Sequence, residues 1–310
     1  LAVYLQYKFS TGKLTFIPGV RYEDIKLSRK DYGNGDPDRS AANLTKRENK
    51  VNVFIPGMGL NYEFTESFSS FLGIHRGFAP PGSKGGTKPE ESINYELGLR
   101  FAKSAMTAQS VFFYNDYQNL LGSDLAATGG QGSTDLFNGG EVDVKGMEFM
   151  LNYELGLSKQ MQLSIPMRVS YTYTDARFKS NFISDYEPWE VVRPGDELPY
   201  LPKHQLAASA GLVREAWYFN ISTKYVSKMR TQSGSGGFVA SQSVDAHLIV
   251  DANLEYTLTT KNRLFIGIKN ISNEKYIVAR RPAGVRPGLP RTFMGGIKTD
   301  FPFFVRRLQE

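Results

Sequence analysis

The segment Ile93–Phe101, with the sequence INYELGLRF, alternates strictly between apolar and polar positions. Its odd-numbered residues are Ile, Tyr, Leu, Leu and Phe, and its even-numbered residues are Asn, Glu, Gly and Arg. Successive side chains of a strand point to opposite faces, so this period of two predicts a β-strand with one dry and one wet face. The segment is also longer than the five or six residues of a typical globular strand.

The same alternation returns along the chain in four further segments of about ten residues. Their apolar sets are Met147, Phe149, Leu151, Tyr153 and Leu155; Ile165, Met167, Val169, Tyr171 and Tyr173; Trp217, Phe219, Ile221 and Tyr225; and Leu248, Val250, Ala252, Leu254, Tyr256 and Leu258.

Alternation alone leaves two architectures open, because a soluble β-sandwich also has one wet and one dry face. Three features favour a barrel that crosses a membrane. The dry faces are long enough to cross an apolar layer about 25 Å high, and aromatic residues recur near the strand ends. Short turns alternate with long polar segments, as in outer-membrane barrels. The aromatic residues are Tyr62, Tyr153, Tyr173, Trp217 and Tyr256, and the long segments are 31–49, 79–91, 122–140, 178–203, 230–245 and 273–290.

We therefore predict an all-β fold, an antiparallel transmembrane β-barrel with about a dozen strands in this chain. The amino-acid composition agrees with an all-β fold, because 17 Tyr and 21 Phe in 310 residues favour strands and 30 Gly favour turns. No segment approaches the roughly 18 consecutive apolar residues that a membrane-spanning helix requires. The absence of cysteine excludes disulfides and thiolate sites. The net charge of +6 is spread along the chain, which argues against nucleic acid as a partner.

Four motifs then resemble the TonB-dependent outer-membrane receptors. HRGFAPP at residues 75–81 is similar to that family's strand end, and KPEESINYELGLR at 88–100 to the strand that follows it. IKNISNEKY at 268–276 resembles the family's penultimate-strand motif, and PRTFMGGIKTDF at 290–301 its closing strand with a terminal aromatic. The FAPPG form at 78–82 looks most like the ferric citrate and siderophore receptors.

The resemblance implies the C-terminal portion of a 22-stranded barrel over residues 1–301, followed by an atypical tail at 302–310. It implies an outer-membrane receptor or transporter for an iron chelate, either ferric citrate or another siderophore complex. Uptake would be energy-coupled through TonB, and the plug domain and TonB-engaging segment of the family are missing from this chain. Outer-membrane lipid or lipopolysaccharide would be a further partner. A self-contained passive channel of about a dozen strands is the alternative.

Six residues are candidate ligand contacts. A siderophore complex is often anionic, and arginine pairs carboxylates through a planar fork that keeps its charge. Lipopolysaccharide phosphate contact or a solvated loop remains open for the four arginines, and an internal hydrogen-bond network for the strand-end pair. The candidates are His75 and Arg76 at the strand end, and Arg280, Arg281, Arg286 and Arg291 in the penultimate loop.

The sequence gives little support for a metal site or for catalysis. The acidic cluster at 31–38 resembles a loose calcium loop but lacks the glutamate expected at its twelfth position, which favours a plain turn. The three histidines, at 75, 204 and 247, have no metal-site partner at i+3 or i+4. Neither a nucleophile elbow nor a phosphate-binding loop occurs. We predict no enzyme activity, no resident metal and no cofactor.

Overall fold

The computed structural model describes residues 1–33, 35–83, 85–123, 136–158, 163–184, 188–281 and 284–300. Fourteen strands of this described part form one large sheet and are numbered β1 to β14 in chain order. They are Ala2–Gln6, Phe9–Thr11, Leu14–Asp31, Thr45–Thr65, Phe68–Ala79, Glu90–Lys103, Met106–Gln118, Val142–Ser158, Leu163–Phe178, His204–Arg214, Trp217–Val226, His247–Thr257, Asn262–Lys269 and Thr292–Thr299.

The large sheet is an antiparallel meander. From β3 to β14 each strand pairs with the next one in the chain, and β1 and β2 are two pieces of one edge strand because both pair with β3. The predictions of an all-β antiparallel fold and of about a dozen strands are confirmed. Within the described residues, no helix combines the length and hydropathy needed to span a membrane.

The pairing register gives the sheet one continuous apolar face. Leu97 of β6 lies opposite Leu72 of β5 and Phe112 of β7, and Phe112 lies opposite Met147 of β8. Both Leu97 and Phe112 are hydrophobic, yet Leu97 is 46% exposed and Phe112 is 45% exposed. We call this side the outer face. The opposite side, which carries Asn94 and Asn115 in register, is called the inner face.

The connections separate into two ends. Short turns occupy residues 12–13, 66–67, 104–105, 215–216 and 258–261, and this is called the turn end. Long connections span 32–44, 80–89, 119–141, 179–203, 227–246 and 270–291, and this is called the loop end. The predicted alternation of short turns and long segments is confirmed, and β5 ends at Ala79, directly before the two prolines. The turn between β8 and β9, the terminal aromatic at 301 and the tail at 302–310 lie outside the described residues.

A compact apolar cluster forms at the loop end of the inner face. Phe178 of β9 and Val142 of β8 are fully buried against Trp189 and Val192 of the 179–203 loop. The Phe178 and Trp189 rings meet edge to face, with centroids 5.6 Å apart. Burying side chains of this size stabilises by roughly 1.5–3 kcal/mol each. The 179–203 loop is therefore held against the inner face of β8 and β9.

Candidate ligand-binding site

A cavity of about 570 Å³ lies on the inner face, against strands β8 to β12. The register aligns Arg168, Ser209, Ser222 and Asp251 in one row across β9 to β12. Small side chains at the centre of this row leave space above the sheet. The row one step nearer the loop end contains Ser170, Ala207, Lys224 and Ile249.

Two cations of this cavity lack a partner. Asp251 is already satisfied, because it accepts hydrogen bonds from Lys269 Nζ at 2.9 Å and from the backbone N–H of Asn270 at 2.8 Å. Arg168 and Lys224 are exposed on the inner face and form no ion pair within the described residues. The cavity thus has an excess of positive charge, which attracts anionic ligands.

An aromatic pair closes the loop-end side of the cavity. His247 stacks on Tyr276 with ring centroids 4.6 Å apart, and both residues line the cavity. Tyr276 ends the IKNISNEKY motif. Asn270 of the same motif is fully buried and donates to the carbonyl groups of Glu274 and Leu289, both at 2.9 Å. This asparagine fixes the two ends of the 270–291 loop next to the cavity.

The structure separates His75 from Arg76, which are neighbours on β5. His75 lies on the inner face, opposite Asn94, whereas Arg76 lies on the outer face, opposite Ile93. The Arg76 guanidinium donates to Glu91 at 2.5 Å and to the carbonyl oxygen of Phe54 at 3.2 Å. The two residues therefore cannot act on one ligand from the same side of the sheet.

The four loop arginines also differ in their surroundings. Arg280 donates to the carbonyl oxygens of Ser243 at 2.6 Å and Ala240 at 2.9 Å, so it ties the 270–291 loop to the 227–246 loop. Arg281 is half-buried, and Arg286 donates to the Arg281 carbonyl at 3.3 Å. Arg286 and Arg291 are exposed at the loop end.

Glu197 joins the 179–203 and 227–246 loops. Its carboxylate accepts from Lys203 Nζ at 2.7 Å and from Arg230 Nε at 3.1 Å, and Arg177 lies at 3.5 Å. Burial alone would raise the pKa of Glu197, but the bonds from Lys203 and Arg230 outweigh burial and lower it below its ordinary value. The carboxylate therefore stays ionised.

Arg230 orders the glycine-rich part of the 227–246 loop. Its guanidinium donates to the carbonyl oxygens of Gly236 at 2.5 Å and Gly237 at 3.3 Å and lies 4.8 Å from the Phe238 ring centroid. The loops also meet where Ser233 Oγ donates to the Trp189 carbonyl at 2.6 Å. Through Arg230 and Arg280, three successive loops form one connected unit.

Sequence reasoning missed Arg168, Lys224, Glu197 and Arg230 as site residues. Arg168 and Lys224 could have been found, because each occupies the polar side of a recognised alternating segment. The sequence carries no comparable signal for Glu197 and Arg230, which lie 33 positions apart and meet only through loop packing.

The 31–38 acidic cluster behaves as a turn in its described part. The Asp36 carboxylate accepts from the backbone N–H groups of Ser40 and Ala41, both at 2.8 Å, and from Ser40 Oγ. Residue 34 of this cluster lies outside the described residues. Across the described ranges, no three acidic or histidine side chains come close enough together to hold a metal ion.

Comparison with known proteins identifies the fold. Residues 1–271 match the family model described as TonB dependent receptor-like, beta-barrel. The chain is 24% identical over 306 residues to a pesticin receptor of Yersinia enterocolitica, covering 92% of this chain and 41% of that protein. A pesticin receptor of Yersinia pestis is 23% identical with the same coverage. The chain therefore spans about two fifths of these relatives.

Solved structures show the same architecture. The ferric citrate transporter FecA in its unliganded form superposes with a TM-score of 0.73 at 21% identity, covering 96% of this chain and 44% of FecA. The ferric yersiniabactin uptake receptor FyuA from Yersinia pestis superposes with a TM-score of 0.72 at 17% identity, covering 97% of this chain and 45% of FyuA. The siderophore receptor PiuA from Acinetobacter baumannii superposes with a TM-score of 0.74 at 17% identity, covering 96% of this chain and 42% of PiuA. Because the family model matches most of the length of this chain, the chain belongs to the TonB-dependent receptor β-barrel family.

Proposed function

We propose that the protein containing this chain is an outer-membrane receptor that imports an iron chelate, either ferric citrate or another siderophore complex. Uptake is energy-coupled through TonB, by means of a plug and a TonB-engaging segment that these 310 residues do not include. The pesticin, ferric citrate and yersiniabactin receptors among the relatives support this assignment. The family places the chain in the cell outer membrane.

The observation that carries the proposal is the cationic cavity on the inner face. Arg168 and Lys224 face the side of the sheet that a closed barrel encloses, beneath the connected loops. Arginine can bind a carboxylate through two parallel hydrogen bonds, and lysine adds a point charge. An anionic chelate that passes the loops would replace water at these cations and leave their own hydrogen bonding satisfied.

The six predicted ligand contacts enter this proposal unequally. His75 faces the interior, and Arg286 and Arg291 are exposed at the loop end, so these three have room for a ligand. Arg76 and Arg280 already bond protein groups, and Arg281 is half-buried, so a ligand would have to share or replace existing contacts. In this proposal the protein makes and breaks no covalent bond; it binds the iron chelate and releases it.

The test is chelate uptake in iron-starved cells that lack the chromosomal copy of the gene. We expect the full-length protein to restore uptake of radiolabelled iron from one member of a panel of ferric citrate and siderophore complexes. The double variant Arg168→Gln/Lys224→Gln should bind that chelate at least about tenfold more weakly, because each charged hydrogen bond contributes roughly 1.5–3 kcal/mol.

Lys103→Gln/Lys261→Gln is the matched control, since it removes two exposed lysines at the turn end. Failure of the full-length protein to support uptake from any complex would contradict the proposal. Steady conductance of the purified full-length protein in planar bilayers would instead favour the passive channel.

A further inference from the structure

Four lysines lie in two directly opposed pairs on the outer face of the β3–β4 hairpin. Lys26 is in register with Lys50, and Lys30 is in register with Lys46. Directly opposite residues of an antiparallel pair have Cβ atoms about 4.5–5.5 Å apart, and like charges there are destabilising. All four side chains are exposed.

The protein neutralises only part of this charge. Lys26 forms an ion pair with Glu48 at 3.0 Å, with side chains that are 60% and 63% exposed. Asp24, opposite Asn52, is the second carboxylate on this stretch of the outer face. Lys30, Lys46 and Lys50 have no ion-pair partner within the described residues. The hairpin therefore carries an excess of two positive charges.

The position of these lysines suggests what balances them. On the same two strands the next outer-face pairs toward the turn end are Asp24 with Asn52 and then Tyr22 with Phe54, where the apolar surface begins. The Lys26–Lys50 pair lies four residues, or about 13 Å along the strands, above the Tyr22–Phe54 pair, and the Lys30–Lys46 pair lies about 26 Å above it. Because membrane-spanning strands are tilted by about 45°, the Lys26–Lys50 pair is roughly 9 Å above the apolar surface, within reach of the headgroups that carry lipid phosphates.

An apolar groove of about 660 Å³ lies below the lysines on the same face. Phe16 and Pro18 of β3 and Pro56 and Met58 of β4 form one side of it. Ile74 of β5 also lines it, in register with Met58. Six residues, or about 20 Å, separate Pro56 from Lys50, and Pro56 lies two residues, or about 6.6 Å, below Phe54, where the apolar surface begins.

We propose that the β3–β4 hairpin binds one phosphorylated lipid of the outer leaflet. Its phosphate groups bridge Lys26 and Lys50 and are attracted by Lys30 and Lys46 further out, and one of its acyl chains fills the groove beside Ile74. A free phosphate would use the lysines but would leave the groove without an occupant. The proposal is independent of the chelate that the receptor imports.

The first test measures which lipid stays with the full-length protein. The protein is purified in neutral detergent, exposed to bis-phosphorylated lipid A or to dimyristoyl phosphatidylcholine, and examined by native mass spectrometry. We expect retention of lipid A in preference to phosphatidylcholine. Lys46→Gln/Lys50→Gln should weaken that retention about tenfold or more, since each basic residue near a membrane surface adds measurably to anionic lipid binding.

The control is again Lys103→Gln/Lys261→Gln, which makes the same charge change at the turn end and should retain lipid A normally. Equal retention of lipid A by the Lys46→Gln/Lys50→Gln variant and the unmodified protein would overturn the proposal. Equal retention of phosphatidylcholine and lipid A by the unmodified protein would overturn it as well.

A second test separates a lipid from a simple anion. Ile74→Trp fills the groove and should reduce lipid A retention, whereas Leu212→Trp, on the outer face away from the groove, should not. Inorganic phosphate at the concentration of the lipid should leave lipid A bound. Displacement by inorganic phosphate, or unchanged retention in Ile74→Trp, would show that the groove takes no acyl chain and would refute the lipid assignment.

Discussion

Gly98 shows how one residue position controls packing on the inner face. It lies opposite Phe71, whose ring covers it, and the Arg100 guanidinium lies 4.0 Å from the centroid of that ring. A Cβ at position 98 would meet Phe71 ring atoms at 2.0 Å. Gly98 therefore provides the space in which Phe71 lies flat on the sheet.

We predict that Gly98→Ala destabilises the protein by about 1–3 kcal/mol, because Phe71 must leave its position and lose its contact with Arg100. Thermal unfolding followed by heat-modifiable gel mobility would measure this. Gly59→Ala is the matched control, since a Cβ there has no neighbour within 4 Å, and it should change stability by less than about 0.5 kcal/mol. Equal stability of the two variants would contradict the argument.

Glu197 gives a pH-dependent prediction at the same scale. Because the pKa of Glu197 is lower in the folded protein than in the unfolded chain, its ion pairs add stability at neutral pH. That stability is lost as the pH falls below the ordinary pKa of a glutamate and through the lower pKa of Glu197 in the folded protein. Hydrogen exchange of the 227–246 amides, corrected for intrinsic rates, should accelerate over this range in the unmodified protein.

Glu197→Gln should show the faster exchange already at neutral pH, with a loss of about 1–3 kcal/mol in local stability and little further change on acidification. Glu274→Gln removes an exposed carboxylate from another loop and should behave like the unmodified protein. The role assigned to Glu197 would be refuted by an acid response that persists in Glu197→Gln.

At the scale of the element, strand β6 tests which face meets lipid. Leu97 lies on the outer face and Glu96 on the inner face, at adjacent positions in the middle of the strand. Leu97→Lys should cost about 2–4 kcal/mol in the folding free energy measured in liposomes, because a charge then lies in hydrocarbon. Glu96→Lys should lower the folding free energy much less, because position 96 lies on the inner face. If both variants inserted equally well, the assignment of the outer face would be wrong.

At the scale of the whole molecule, the described sheet has two edges. Strand β1 pairs only with β3, and β14 pairs only with β13, among the described residues. An unpaired edge offers backbone groups to another chain. We predict that the 310-residue chain, refolded alone in detergent, self-associates through these edges, which light scattering after size-exclusion chromatography would detect.

Charges on the edges should reduce this association. Tyr4→Lys/Met294→Lys adds one inner-face lysine to each edge strand and should shift the chain toward monomer. Met150→Lys adds an inner-face lysine to β8, which is paired on both sides, and should leave association unchanged. A monomeric unmodified chain, or equal effects of both variants, would exclude edge pairing.

The sequence by itself determined the strands, their two faces and the alternation of turns and loops. These features follow from local periodicity, which each segment carries independently of its partners. A period of two also puts neighbours such as His75 and Arg76 on opposite faces of a strand, although the motif HRGFAPP drew attention to the two together. It likewise assigns Arg168 to the polar side of its strand.

Only the tertiary structure decided which charges have partners. Lys269 forms an ion pair with Asp251, whereas Arg168 and Lys224 form no ion pair within the described residues, and Arg280 donates to carbonyl groups of another loop. The opposed lysines of β3 and β4 depend on the pairing register, and the Glu197 network depends on loop packing. Electrostatic partners are set by distance in space, and a periodic pattern fixes only the side of the sheet on which a residue lies.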